Sequence, residues 1–160
     1  YHNPRIDAPK ARIRPDGDGR EWRSDQALFI GSDSPTETIF RACHDGKRLY
    51  LLAEQLDPAS TGGAEIRLSV ECGGRRVDLT IAPDGSVASP IPGVRGATRA
   101  GLTPAGVAGR ATEIAVPRAA LQTRPGDTLR FNATVRSGAV EDGFTAATDD
   151  PETWMRIELK

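Results

Sequence analysis

"AEIRLSVECGGRRVDLTIA", Ala64 to Ala82, is the stretch whose reading decides the fold. Gly73-Gly74 at its centre is a two-residue loop that tolerates positive φ at both positions, the preferred hairpin turn. Pairing outward sets Val70 against Val77, Leu68 against Leu79 and Ile66 against Ile81, all on one face. Glu71 meets Arg76 with opposite charge on the other face. A slip of one residue would turn every one of these aliphatic side chains into water, so the register is well specified.

The same logic, applied upstream, finds a second hairpin in "TIFRACHDGKRLYLLAE", Thr38 to Glu54. Taking Asp45-Gly46 as the turn pairs His44 with Lys47, Ala42 with Leu49 and Phe40 with Leu51. Cys43, Arg41, Arg48, Tyr50 and Leu52 then share a mixed opposite face, predicted to be half exposed. His44, beside a turn, is expected to be solvated.

Further strands follow from alternation. "ATEIAVP" puts Thr112, Ile114 and Val116 on one side. "TLRFNATVRS" puts Leu129, Phe131, Ala133 and Val135 on one side, and "WMRIELK" turns Met155, Ile157 and Leu159 inward. "PRAALQTRPGD" holds at most one helical turn, and residues 83–106 are too rich in Gly, Pro and Ala for strands to be drawn. The 17 glycines and 12 prolines fall between apolar stretches, which is the distribution of turns in an all-β chain rather than of disorder. The expectation is an antiparallel β-sandwich of about eight to ten strands with almost no helix. Residues 1–10 read as a linker or lead-in, and 11–160 as a single domain.

Composition excludes some functions. At 160 residues the chain suits one domain with a core of ordinary size. With 21 basic and 22 acidic residues there is no overall surplus to favour nucleic acid. No apolar run approaches the roughly 20 residues of a membrane span. The opening "YHNPRIDAPK" lacks the apolar middle of a signal peptide, and a start at Tyr1 is expected of a processed protein or a piece of a longer one.

Catalytic motifs are missing. There is no nucleophile elbow, zinc-protease helix or phosphate loop, and no spacing nominates a pair of carboxylates. If both hairpins belong to one meander, Cys43 and Cys72 lie about 10 Å apart, too far to bridge, and stay as free thiols. The sequon at Asn132 lies inside a predicted strand. Acidic pairs, among them Asp57 and Asp142, carry the oxygens that calcium prefers, although Asp-Gly and its neighbours are also ordinary turn material.

"DGDGREW", Asp16 to Trp22, brings these readings together. An Asp-Gly turn and Glu-Trp are followed in order by "DGKRLYLLAEQLD", "AEIRLSVE", "ATEIAVPRAAL", "GDTLRFNATV" and "PETWMRIEL". That order, from about Ile13 to Leu159, resembles carbohydrate-binding module family 9. The resemblance implies a β-sandwich attached to a secreted polysaccharide-degrading enzyme, often with structural calcium. It makes Trp22 a tryptophan packed inside the sandwich and Trp154 a packing residue at the start of the last strand. Sugar-binding members clamp their ligand between two tryptophans. Here "DPASTGGAE" has no aromatic residue at the first position, and Phe144 is the one candidate at the second. A related haem-binding sandwich group uses methionine as a ligand, but Met155 alternates into the core.

The expected function is therefore a non-catalytic module of a secreted or cell-surface protein, with the periplasm as an alternative location. It would bind a polysaccharide or oligosaccharide, or pack as a spacer on a neighbouring catalytic domain. Candidate ligand contacts are Phe144, Asp149, Asp150, Arg41 and Tyr50, and candidate calcium ligands are Asp57 and Asp142. Two alternatives stand beside it. One is a protein-interaction sandwich that docks through Arg41, Arg48, Tyr50 and Leu52; the other is an enzyme with an unrecognised carboxylate pair.

Overall fold

The computed structural model describes residues 5–15, 22, 26–30, 36–45, 47–56, 64–89, 91–102, 108–124, 126–144 and 150–160. It is an all-β sandwich of two mostly antiparallel sheets. Twelve strands are described, more than the eight to ten drawn from alternation, because several are two to four residues long.

One sheet has seven strands. Its main path runs β1 (Arg5–Ala8), β12 (Met155–Leu159), β10 (Thr128–Ser137), β5 (Glu65–Cys72), β6 (Arg75–Ile81), β7 (Val87–Ala88), with β11 (Val140–Gly143) paired to β10. The other sheet runs β2 (Leu28–Ile30), β3 (Thr38–His44), β4 (Arg48–Leu56), β9 (Ala108–Pro117), β8 (Arg95–Leu102). A four-residue helix, α1 (Arg118–Leu121), follows β9 directly.

The Gly73-Gly74 hairpin forms as its pattern demands. Ile66 faces Ile81, Leu68 faces Leu79, Val70 faces Val77 and Glu71 faces Arg76. The two glycines have φ of 58° and 85°, a backbone conformation that L side chains rarely adopt.

The other hairpin differs from expectation by two residues. His44 pairs with Leu49, Ala42 with Leu51 and Phe40 with Ala53. The Asp45 carboxylate accepts hydrogen bonds from the backbone N–H of Lys47 and of Arg48, both at 2.9 Å. The Asp45 N–H donates to the Arg48 carbonyl at 3.2 Å. Asp45 thus stands at the corner of the turn, rather than at its centre, and fixes the register with its own side chain. Because a slip of two preserves side-chain parity, the predicted faces survive.

The two hairpins lie in different sheets, which overturns the meander assumed for the cysteines. The two cysteines are nevertheless not bridged to each other. Cys43 points to the outer side of the five-stranded sheet, among Tyr50 and Leu52. Cys72 packs at the margin of the cluster between the sheets, so the two point into separate environments.

That inner cluster contains Phe40, Leu49, Leu51, Ile66, Leu68, Ile114, Phe131 and Ile157, among others. Residues 5–10 are part of the same body and not a loose lead-in. β1 pairs in parallel with β12, Ile6 and Ala8 are buried, and Lys10 bridges to His44. His44 is buried rather than solvated, because β1 and the chain end close over it.

Candidate functional site

The outer face of the five-stranded sheet departs most from the sequence reading. Tyr50 and Leu52 were to lie on a half-exposed mixed face, yet both are buried. A second apolar cluster covers them, made of Ile13, Trp22, Cys43, Tyr50, Leu52, Ala111 and Ala115. Residues 11–15 lie across the sheet as a strap. Its register starts from the Ala11 N–H donating to the His44 carbonyl at 2.7 Å.

Trp22 is buried, but not where the resemblance put it. It packs outside the sandwich, between strap and sheet, and not between the two sheets. Its indole N–H donates to Glu113 Oε2 at 2.9 Å. Glu113 on β9 and Glu54 on β4 are both fully buried and sit diagonally across the strand pair. Arg41 Nε meets Glu54 at 2.7 Å. Both carboxylates are closed off from solvent, Glu113 holding the Trp22 indole and Glu54 holding Arg41 of β3.

Beside the strap opens a cleft of about 640 Å³, lined by Arg12, Arg14, Arg48, Tyr50 and Arg95, with Ile13 and Pro15 completing its wall. A contiguous cleft of about 370 Å³ adds Lys10, Lys47 and Asp45. At the junction the Tyr50 hydroxyl donates to Asp45 Oδ2 at 2.5 Å. Burial, and then this bond, push the Tyr50 phenol above its usual range, so it remains a proton donor at neutral pH. Burial would raise the Asp45 carboxyl, but the Tyr50 hydroxyl and the Lys47 and Arg48 N–H groups together bring it below its ordinary value. Asp45 is therefore an anion held by the turn it caps. Sequence reasoning named Tyr50 but missed Arg12, Arg14 and Arg95. They come together only when the strap crosses the sheet, a contact without a local pattern.

Another cleft, of about 440 Å³, lies beside the Gly73-Gly74 turn, between Cys72, Arg75, Gln122, Arg124 and Asp127. Here Asp127 accepts from the Arg124 N–H at 2.8 Å, and burial followed by Asp127 pushes the Cys72 thiol up. A thiol raised in this way is protonated at neutral pH and is a poor nucleophile.

The predicted contacts do not form one site. Arg41 and Tyr50 share the outer face of the five-stranded sheet. Phe144 instead packs edge-on against Phe40, with centroids 5.7 Å apart, and lies 5.8 Å from Phe131. Its ring is partly buried and packs against the inner core. Asp150 caps the 3-10 turn Pro151–Thr153, accepting from the Glu152 N–H at 3.1 Å. Asp149 and Asp57 lie outside the described residues.

Asp142 accepts from the Thr36 hydroxyl. Among the described residues no group of three or more His, Cys, Asp or Glu side chains is placed to hold a metal ion. Trp154 is fully buried, with the Arg76 guanidinium 5.0 Å from the ring centroid. Met155 packs in the inner core. Asn132 is buried within β10, so its sequon is closed in the folded protein. No described helix is long and apolar enough to cross a membrane.

Compared with known proteins, the chain matches no family model and no curated protein.

Proposed function

We propose that the protein is a non-catalytic glycan-binding module of a secreted or cell-surface carbohydrate-active protein, attached to a catalytic domain in a longer chain. The cleft between the strap and the outer face of the five-stranded sheet is its ligand surface. One observation carries this reading: a concave, polar, hydrogen-bonding surface built on strands whose two faces are both buried. A rigid sheet beneath polar side chains is what holds a ligand's hydroxyl groups in register. The order of motifs from Ile13 to Leu159 supplies the carbohydrate context. The tryptophan clamp is absent, so the grip is polar. Affinity electrophoresis through gels containing a panel of polysaccharides tests the reading. Retardation by at least one polysaccharide supports it, and free migration through all of them overturns it.

A second reading is favoured by Phe29, which is 65 % exposed in the edge strand β2. An apolar side chain on an unpaired strand edge suits docking against another protein. Under this reading Phe29→Asp abolishes association with the neighbouring domain and leaves glycan retention unchanged.

A further inference from the structure

We infer that the strap cleft selects anionic glycans, those carrying carboxylate or sulfate groups on the sugar ring; this rests on the glycan-binding reading above. The two contiguous clefts gather Lys10, Arg12, Arg14, Lys47, Arg48 and Arg95 around a single described carboxylate, Asp45. The chain as a whole has a net charge of −1, so this clustering is local and is hidden by the overall balance.

Asp45 is committed to the Tyr50 hydroxyl and to two backbone N–H groups, which spends much of its capacity as an acceptor. Among the described residues no carboxylate forms an ion pair with Arg12 or Arg95. Both are exposed, from opposite walls of the cleft: one on the strap, one on β8. A guanidinium presents a planar fork of N–H donors that matches a carboxylate or sulfate with two parallel hydrogen bonds. Uncharged sugars are commonly held on a flat aromatic face, and among the described residues this cleft has none to offer. Tyr50 and Trp22 are buried, and the exposed Phe29 lies on β2 at the far edge of the sheet.

The test measures retention of the whole chain on immobilised polygalacturonate, alginate and chondroitin sulfate, with xylan, a neutral β-glucan and duplex DNA as comparisons. The expected result is binding to at least one acidic glycan in preference to the neutral ones. Binding should weaken at least tenfold between about 0.1 and 1 M salt, where the screening length falls from about 10 to 3 Å. Arg12→Gln and Arg95→Gln should each weaken it by up to about fivefold, as the loss of an exposed ion pair does. Arg75→Gln removes the same charge beside the Gly73-Gly74 turn and should leave retention unchanged. Unchanged thermal unfolding of all three variants establishes that they fold. Polygalacturonate and alginate carry carboxylates alone and chondroitin sulfate carries both groups, so retention on chondroitin sulfate but not on the other two marks a ligand that needs sulfate.

Retention on xylan or glucan alone, indifferent to Arg12 and Arg95, overturns the inference and leaves the glycan-binding module standing. Equal losses for Arg75→Gln, or DNA bound as tightly as the acidic glycans, overturn it as general attraction between opposite charges. No retention on any polysaccharide overturns both.

Discussion

Strands β4 and β9, central in the five-stranded sheet, are buried on both faces, and for different reasons. The inner face carries Leu49, Leu51, Ala53, Ile114 and Val116 against the opposite sheet, an apolar layer with nothing to satisfy but volume. The outer face carries Tyr50, Leu52, Glu54 and Glu113, and is sealed by a short strap with one indole. The first layer follows from alternation alone. The second exists because Trp22 and Arg41 give hydrogen-bonding partners to carboxylates that would otherwise make burial too costly. Such a layer gives up more when one polar partner is removed than its contact area suggests.

The largest effect expected is on the inner side. Phe131→Ala removes a ring that touches both Phe40 and Phe144, and should cost about 4 kcal/mol in urea denaturation. Trp22→Phe keeps most of the apolar contact but removes the donor to Glu113; the same measurement should show a loss of about 2 kcal/mol. If Trp22→Phe proved neutral, the outer layer would be ordinary packing and the contrast between the faces would collapse. Gly74→Ala, at a corner outside both layers with φ of 85°, should cost about 1 kcal/mol through the backbone alone.

The smallest effect concerns His44, where strap, β1 and chain end meet. Burial lowers its pKa from the ordinary 6.5, and the backbone hydrogen bond with Lys160 only partly opposes this. The unfolded chain therefore takes up a proton that the folded protein refuses. Stability should fall as pH drops below 6.5, and this contribution should level off once the folded pKa is passed. His44→Gln should flatten that part of a stability-against-pH curve. An unchanged slope would mean that the ring is solvated after all.

What could be read from the sequence followed from the range of the forces involved. The Gly73-Gly74 hairpin was legible to the residue because two glycines and three facing aliphatic pairs demand one register. The other hairpin was legible in its faces but not its register, because Asp45 closes the turn with its side chain and a slip of two leaves the hydrophobic pattern intact. The parallel pairing of β1 with β12 joins the two ends of the chain, and no local alternation could reveal it. Arg12, Arg14 and Arg95 looked like scattered surface charge for the same reason. Trp22 was legible as an anchor, but its surroundings were not: a lone indole after a turn does not say which side of a sheet it will cover. Phe144 was read as a ligand contact because the resemblance put an aromatic residue there. Its contacts with Phe40 and Phe131, which seat the ring against the core, come from strands far apart in the chain and have no local signal.

The seal on the outer face can be tested by leaving Trp22 as the sole indole. In Trp154→Phe, which keeps an aromatic ring beneath Arg76, fluorescence quenching by acrylamide reports on Trp22 alone. Slow quenching and blue-shifted emission in the native protein, both lost on unfolding in urea, are the predicted result. Native quenching as fast as in urea would put the indole in open water, and with it would go the strap, the second layer and the cleft beside them.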